Sequence, residues 1–573
     1  MRYQPIYDIA EVCVRKNIRQ VVLCPGSRSA PLALAFIRHP GIQAKIFSDE
    51  RSAGFIALGM AQQSRRSVIV VCTSGTAVYN LAPAIAEAYF SQTPLVILTA
   101  DRPAEWIAQL DGQTIFQTEI FGKHVKKYFQ LPQDYEEADS VWAINRTVNE
   151  ALNLASQLPC GPVHINAPFR EPLYPSPADG AITYSKDVRI IEEHPSIPGL
   201  SDETKEKLSR EWRNVHRILV VGGQQDTEPA TIAALSRLQK KSGVAVAADI
   251  ISNLHEANGV IRHADLFMGQ APQGRKEALQ PDLLITFGQS LISKNLKIFL
   301  RKYPARHHWH IQEAGPVADT FTNLTAILRT SPDTVLDFLS SLDAPDQRQR
   351  DYRARWQAEE ERAGKVLDDF LGARTGGELR IVGSLLANLP ANANLHLANS
   401  MSVRYANFFG LSAGKTGVRV FSNRGTSGID GCTSTAVGHS LVSARQNFLI
   451  TGDLAFFYDR NAFWHHYPVQ NLRILLLNNH GGLIFDILEG PSSLPEAREY
   501  FITRQMLNAK KLCEEFGFQY LRAEGGGQLE DSVGKFVGEG KSEVSVLELE
   551  TDTATSKNVF EELKMKIKKS YES

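Results

Sequence analysis

The sequence predicts an α/β protein with three α/β domains built on mostly parallel sheets. Two observations carry this. Short β-branched apolar runs recur along the chain, each ending in a loop of small residues and each followed by a helical pattern. Strands alternating with helices make parallel sheets covered on both faces. The chain also has 573 residues, too many for one ordinary domain of roughly 100–200 residues.

In the first third the pattern appears four times, as VVLCPGSRSAPLALAFIRH, AKIFSDERSAGFIALGMAQQ, VIVVCTSGTAVYNLAPAIAEAYF and PLVILTADRP. Loops at the carboxyl ends of parallel strands carry function, which singles out Pro25–Ser29, Asp49–Arg51, Thr73–Thr76 and Asp101–Pro103. The Pro-rich, aperiodic stretch Glu171–Leu200 reads as a linker. A second α/β unit follows, with RILVVGGQQD, VAVAADI, DLLITFGQSL and HHWHIQEAG. The mixed charges of Arg348–Leu371 read as a solvated connecting helix. A third unit starts near Gly376, with NLHLANS, VRVFSNRGTSGIDG, NFLITGDLAFF, LRILLLNNHGGLIF and VSVLELE. The expected domains are 1–180, 195–345 and 375–573.

Composition excludes several classes. Apolar residues are 43% and charged residues 22%, which argues against disorder, collagen and coiled coil. The net charge is −1, so no global field draws in nucleic acid or an anionic membrane. No run approaches the ~18 apolar residues of a membrane span, and the N-terminus has no secretory pattern. Six scattered cysteines without C-x-x-C fit a reducing compartment and reduced thiols packed as small hydrophobes. The expectation is a cytoplasmic protein with no nucleic-acid partner and no membrane span.

The strongest local signal is GDLAFFYDRNAFWHHYPVQNLRILLLNNHGG. Asp453 ends one apolar strand, and Asn478-Asn479 end the next. A helix-like segment of about two dozen residues is expected between them. In a parallel sheet both strand ends open on one edge, so Asp453 and Asn479 converge. A carboxylate and an amide oxygen suit a hard Mg²⁺ ion, which takes octahedral oxygen and shares its shell with phosphates. Gly481 and Gly482 let the backbone approach a ligand. Taken singly, Gly-Asp and Asn-Asn are common turn pairs; the pairing at neighbouring strand ends gives them weight.

This constellation resembles the fingerprint of thiamine diphosphate enzymes: Gly-Asp, an intervening segment, then Asn-Asn. The resemblance implies that Asp453, Asn479 and the Gly481 carbonyl hold Mg²⁺ (or Mn²⁺) and, through it, the cofactor's diphosphate, with Gly452 at the cofactor. Leu454 departs from the Gly found in many members. Such enzymes also need a buried Glu beside N1′ of the aminopyrimidine. The superfamily places it after the second strand of its first domain, which here is Glu50. Without the resemblance, Glu50 would be an ordinary helix N-terminal acid. The resemblance also implies a pyrimidine-binding, middle and diphosphate-binding domain order, with Thr76 at the cofactor. The active site would lie between two chains of a homodimer, often doubled to a homotetramer.

More specific segments are similar to one branch. CPGSRSAPLA, FSDERSAGFIALG, TSGTAVYNLAPA, LTADRP, GPVHINAPFREPLY, SNRGTSGIDG and NNHGGLIF resemble the 2-succinyl-5-enolpyruvyl-6-hydroxy-3-cyclohexene-1-carboxylate synthase family of menaquinone biosynthesis. The middle unit matches mainly in pattern. The implied activity is a transferase reaction: decarboxylation of 2-oxoglutarate and 1,4-addition of the succinyl carbanion equivalent to isochorismate. Ser27, Arg28, Arg102, Gln113, Lys294, Ser400, Arg404 and Arg424 fall on the family's substrate positions, with Glu50, Ser27, Arg28 and Gln113 at the chemistry. Basic residues make independent sense, because both substrates are dicarboxylates and Arg grips a carboxylate with two N–H groups. A lone Arg is otherwise a solvated surface residue. Ile429 is expected under the bent cofactor, with Ile484 and Phe485 lining the apolar side of its pocket; ordinary core packing is their alternative. Gly112 stands where Asn is expected before Gln113, and Asn295 where a second basic residue often follows Lys294.

Other signals are set aside. His308 and His310 alternate on a strand without a carboxylate or Cys partner, so a metal site is not expected. His465-His466 read as helix surface. VVGGQQD lacks G-x-G-x-x-G, which argues against NAD or FAD. Two rivals remain: a thiamine diphosphate enzyme acting on another 2-oxo acid, and an inactive scaffold on the same fold. The second would lack Glu50 or the metal ligands.

Overall fold

The computed structural model describes residues 3–176, 180–194, 196, 199–226, 228–342, 346–487, 491–523, 528–538 and 543–572. Among these, three parallel six-stranded sheets form. The first comprises β1 (Gln20–Leu23), β2 (Gln43–Ile46), β3 (Val68–Cys72), β4 (Leu95–Asp101), β5 (Tyr128–Gln130) and β6 (Val163–Pro168), in the order β2-β1-β3-β4-β6-β5. The second comprises β7 (Ile218–Gly222), β8 (Ala245–Ala248), β9 (Val260–Ile261), β10 (Leu283–Phe287), β11 (His307–Ile311) and β12 (Ala326–Leu328), in the order β12-β11-β10-β7-β8-β9. The third comprises β13 (Asn394–Leu397), β14 (Arg419–Phe421), β15 (Asn447–Gly452), β16 (Leu472–Asn478), β17 (Gln519–Arg522) and β18 (Ser545–Glu550), in the order β14-β13-β15-β16-β18-β17. Central strands such as VIVVC and LRILLLN are buried at every position, as sheets covered on both faces require.

By packing, the chain divides into two compact units. The first is Met1–Pro195 with Asn423–Ala444 and Ala455–Gln470; the second is Ser196–Ser422 with Arg445–Leu454 and Asn471–Ser573. The first sheet therefore lies in one unit, and the other two sheets share the second. In the second unit one continuous core runs from Leu219 and Phe267 through Trp356 to Phe448, Leu547 and Ile567.

Strand order sets where loops meet. In each sheet the chain adds strands first on one side of its first strand and then on the other, and a crevice opens at that crossing beyond the strand ends. In the first sheet it lies between β1 and β3, between the Pro25–Ser29 and Thr73–Thr76 loops. In the third it lies between β13 and β15, between Ser400 and Asp453. In the second, between β7 and β10, the chain closes it with its own backbone. Gly223 N donates to Phe287 O (2.8 Å), Gln224 N to Ser290 O (3.0 Å) and Gln289 N to Gln224 O (2.9 Å).

Three expectations from local pattern need correction. The described part of the stretch read as a linker is a strap on the first unit. Ile182, Val188 and Ile190 pack on that unit's core, Tyr184 Oη donates to Ala35 O (2.8 Å), and Ser185 bonds the Asp8 carboxylate through N and Oγ. Residues 177–179, 195, 197 and 198 lie outside the described residues. The connecting helix, Gln347–Gly372, is not solvated all round: Tyr352, Trp356, Ala363, Leu367 and Phe370 are buried, an apolar stripe at helical spacing hidden among the charges. Between Asp453 and Asn478 there is no long helix. A helix spans Asp453–Tyr458 and a 3₁₀ turn Arg460–Phe463, and Pro468, which lacks an N–H, follows. His465 and His466 therefore lie on no helix; the His465 ring packs at 5.2 Å on Phe47 and its Nδ1 accepts from Tyr467 N (3.2 Å).

Within the first unit, the helix Glu50–Ser64 crosses the helix Cys432–Val442 at backbone contact. A Cβ on Gly59 would lie 2.0 Å from Thr435 O, and one on Gly438 2.1 Å from Ile56 O. Gly438→Val is expected to destabilise the first unit by about 3 kcal/mol, because helical carbonyls cannot step aside for an added side chain. Gly534→Ala, in the helix Leu529–Val537 with open space around it, should instead stabilise by about 0.5 kcal/mol. Denaturant titration of the two variants checks the contrast; equal midpoints would contradict it.

Candidate active site

The second unit carries the expected metal residues. Gly452 pairs with Leu477 across β15 and β16, so Asp453 and Asn479 leave adjacent strands at the same edge. Asp453 is 2% exposed, and burial pushes its carboxyl up from the ordinary value. Its Oδ2 accepts from Gln505 Nε2 (2.7 Å), which also donates to Asn478 Oδ1 (3.0 Å). Asn478 Nδ2 is held by Glu548 (2.8 Å). Asn479 Nδ2 donates to Glu378 Oε1 (2.8 Å), which turns the amide so that Oδ1 is buried with no hydrogen-bond partner. A buried oxygen acceptor left open beside a strand end costs free energy unless something fills it. A carboxylate, an open amide oxygen and nearby backbone carbonyls are the donor set of a hard divalent cation, so these residues fit the expected group. The Gly481 carbonyl already accepts from Leu483 N (3.1 Å) and keeps one lone pair for a further partner. Gly481 is required by crowding: a Cβ there would lie 2.7 Å from Ile502 Cγ2.

Glu378 was not found from sequence. It is fully enclosed at the start of the helix Glu378–Asn388 and also accepts from Tyr405 Oη (2.9 Å). Burial raises its carboxyl above the ordinary value. Tyr405 lies on the helix Met401–Phe409, which begins after Ser400. Ser400 takes φ 70°, strained for a residue with a Cβ and typical of functional turns. Arg404 folds back so that Nη1 donates to Ser400 O (2.5 Å). Lys294 opens the helix Lys294–Lys302 and is exposed. Asn295 turns away from it: its Nδ2 donates to Asp265 O (2.9 Å) and its N to Asp265 Oδ1 (2.8 Å). The neutral residue at that position thus serves packing of the helix start. Of the two apolar candidates here, half-buried Ile484 packs against the core. Phe485 is exposed and meets Phe501 at 6.2 Å.

The first unit gathers the remaining candidates. Glu50 opens its helix after the N-cap Asp49, which accepts from Ser52 N. Glu50 is half-buried within one chain, not buried as expected, and its Oε2 accepts from Asn80 Nδ2 (3.1 Å). The next residue, Arg51, donates to Asp430 O (2.6 Å) and Tyr458 O (3.1 Å), tying the helix start to the turn that holds half-buried Ile429. Gly75 takes φ 91° just before Thr76. A Cβ on it would lie 3.3 Å from Gln113 Cα, so Thr76 and Gln113 are brought together.

Arg28 and Arg102 are also brought together. Arg28 is buried, and Nη1 donates to Phe169 O (3.0 Å). Burial, then the neighbouring Arg102 charge, hold its guanidinium below the ordinary value. Arg28 meets Glu171 at 3.4 Å and Arg102 meets Asp111 at 2.9 Å; Ser27 Oγ accepts from Tyr174 Oη (3.3 Å). Arg102 Nε also donates to Gly112 O (3.1 Å), so Gly112 serves through its carbonyl, which any residue supplies. Arg424, half-buried, sits in a loop pinned by Glu87. That carboxylate accepts from Gly425 N (2.9 Å), Thr426 N (2.7 Å) and Thr426 Oγ1 (2.7 Å). Glu87 had a signal that was passed over: it is the lone charge in the apolar helix Ala82–Phe90, and a buried charge needs donors.

His308 and His310 are core residues. Both rings meet Thr286 Oγ1, at 2.9 and 2.8 Å, and burial lowers both pKa values, that of His308 to about 4.

Comparison with known proteins gives the family. A family model described as the thiamine pyrophosphate enzyme N-terminal TPP binding domain matches residues 7–126, and one described as the middle domain of thiamine pyrophosphate matches residues 196–397. A 2-succinyl-5-enolpyruvyl-6-hydroxy-3-cyclohexene-1-carboxylate synthase of Cytophaga hutchinsonii is 43% identical, covering 99% of this chain and 100% of the relative. Synthases of the same name from Porphyromonas gingivalis (38% identical, 94% of this chain and 92% of the relative) and Bacteroides thetaiotaomicron (37%, 93% and 92%) are also similar. No helix among the described residues is long and apolar enough to cross a membrane. With thiamine diphosphate as its cofactor, the chain belongs to the 2-succinyl-5-enolpyruvyl-6-hydroxy-3-cyclohexene-1-carboxylate synthase family.

Proposed function

We propose that the chain decarboxylates 2-oxoglutarate and adds the succinyl fragment to isochorismate, a step of menaquinone biosynthesis, as a cytoplasmic homodimer or homotetramer. The observation that carries the substrate class is the Arg28–Arg102 pair. Two guanidiniums held close repel, and their partners Glu171 and Asp111 are 75% and 42% exposed acids. Both acids touch solvent and can be rehydrated when they leave their arginines. A substrate dianion can therefore displace them and take both cations at once.

The bound cofactor supplies the electron sink for decarboxylation and carbon–carbon bond formation. Asp453, Asn479 and the Gly481 carbonyl would hold Mg²⁺, or Mn²⁺ in its place, and through it the diphosphate. Glu50 would hold the proton at N1′ of the aminopyrimidine, a role assigned by its place at the helix start after β2. Thr76 and the Gly452 backbone would border the cofactor, Ile429 would support it from below, and Ile484 and Phe485 would line the apolar side of its pocket. Ser27, Gln113 and Ser400 orient the substrates by hydrogen bonds; Arg28, Arg102, Lys294, Arg404 and Arg424 neutralise their carboxylates. The expected domains, 1–180, 195–345 and 375–573, take the pyrimidine-binding, middle and diphosphate-binding roles. Glu50 of one chain serves the cofactor held by a second chain, which supplies the partner that a half-buried carboxylate needs.

Glu50→Gln should lower CO₂ release by at least about 10³-fold, the scale of lost acid–base catalysis. It should leave the thermal shift with Mg²⁺ and thiamine diphosphate intact. Unchanged turnover would remove Glu50 from the mechanism. Across a panel of 2-oxo acids, 2-oxoglutarate should exceed pyruvate in kcat/KM by roughly 10²-fold or more, since pyruvate leaves charged donors unpaired. Equal rates would favour a decarboxylase of other specificity. Sedimentation at assay concentration should give a dimer or tetramer; an active monomer would contradict the shared site.

A further inference from the structure

Asp249, at the end of β8, is 3% exposed and has no part in the chemistry above. It accepts from the backbone N–H groups of Ile292 and Ser293 (the latter at 3.0 Å), from Ser293 Oγ, and from Asn407 Nδ2 (3.2 Å). Asn407 closes the ring: its Oδ1 accepts from Ile250 N (2.9 Å) and its Nδ2 also reaches Ser293 Oγ (3.2 Å). Three pieces of chain meet in this buried knot: the end of β8, the start of the helix Lys294–Lys302, and the helix Met401–Phe409.

Two candidate substrate cations hang from it. Ser293 immediately precedes Lys294. Asn407 lies three residues after Arg404, within one helical turn. Both carboxylate oxygens of Asp249 are engaged, so the group cannot rotate without leaving a buried donor unpaired. The Asn295–Asp265 bonds hold the same helix start from its other side.

We propose that Asp249 is a positioning residue: through Ser293 and Asn407 it fixes the spacing between the Lys294 ammonium and the Arg404 guanidinium, and so the length of dicarboxylate they bind. The proposal rests on the functional reading that places both cations at substrate. Asp249 acts on binding, not on the reacting atoms, so its loss appears in KM. A misplacement of about 1 Å in a substrate-holding group costs up to roughly 10²-fold.

The test is steady-state kinetics of Ser293→Ala, Asp249→Asn and the swap Asp249→Asn/Asn407→Asp, as holoenzymes, on the substrate pair the wild type consumes. The thermal shift with Mg²⁺ and thiamine diphosphate reports folding. Ser293→Ala should raise KM for one dicarboxylate about 5-fold and Asp249→Asn about 50-fold, within the range set by misplacement, with kcat changed less than about threefold. The swap, which restores a donor facing an acceptor, should recover most of that KM. Wild-type KM in Ser293→Ala, which removes a single oxygen atom, would overturn the proposal even if Asp249→Asn fails to fold. A swap no better than folded Asp249→Asn would overturn it as well. A wild type that ignores 2-oxoglutarate would instead overturn the functional reading, so the two failures separate.

Discussion

A carboxylate taken out of water must find hydrogen-bond donors, and in this chain the donors come from the loops and side chains that bear the candidate site. Asp101 accepts from Arg102 N at 2.8 Å. Glu87 holds the backbone beside Arg424, and Glu378 sets the face of Asn479. Asp249 joins the flank of Lys294 to the helix of Arg404. Asp459 accepts from Ser434 N and Oγ at 2.6 Å at the start of the helix that crosses Glu50–Ser64. Removing one such acid strands several donors at once, at about 1–3 kcal/mol for each. The parallel sheets bring strand ends to one edge; the buried acids then hold the loops that leave those ends.

This division explains what was legible in the sequence. Strand ends can be read from apolar runs, so the Pro25–Ser29 loop, Glu50, Asp453 and Asn479 were found where the sheets present them. The roles proposed for them rest on residue type: an acid and an amide for a hard cation, arginines for dianions. Glu87 shows locally as the lone charge of an apolar helix, but the partners of Glu87 and Glu378 lie far along the chain. Glu87 meets Gly425 and Thr426, and Glu378 meets Asn479, contacts that no local window contains.

The errors have the same origin. Charges dominate Arg348–Leu371 in number, but the stripe of Tyr352, Trp356 and Phe370 decides its burial. The aperiodic strap after Glu171 is ordered by Tyr184 and Ser185 reaching Ala35 and Asp8, tertiary contacts without a period. Asn295 and Gly112 depart from the family's pattern, and each has a local structural use. One turns its amide into a neighbouring helix, and the other serves through its carbonyl.

On the proposed function, paired cations bind two dianions for one carbon–carbon bond-forming reaction. Mass spectrometry of the product tests it most directly, with purified protein, thiamine diphosphate, Mg²⁺, 2-oxoglutarate and isochorismate. The account predicts one adduct per CO₂ released, appearing only when both substrates are present. CO₂ release with no adduct, or an adduct that forms without isochorismate, would contradict it.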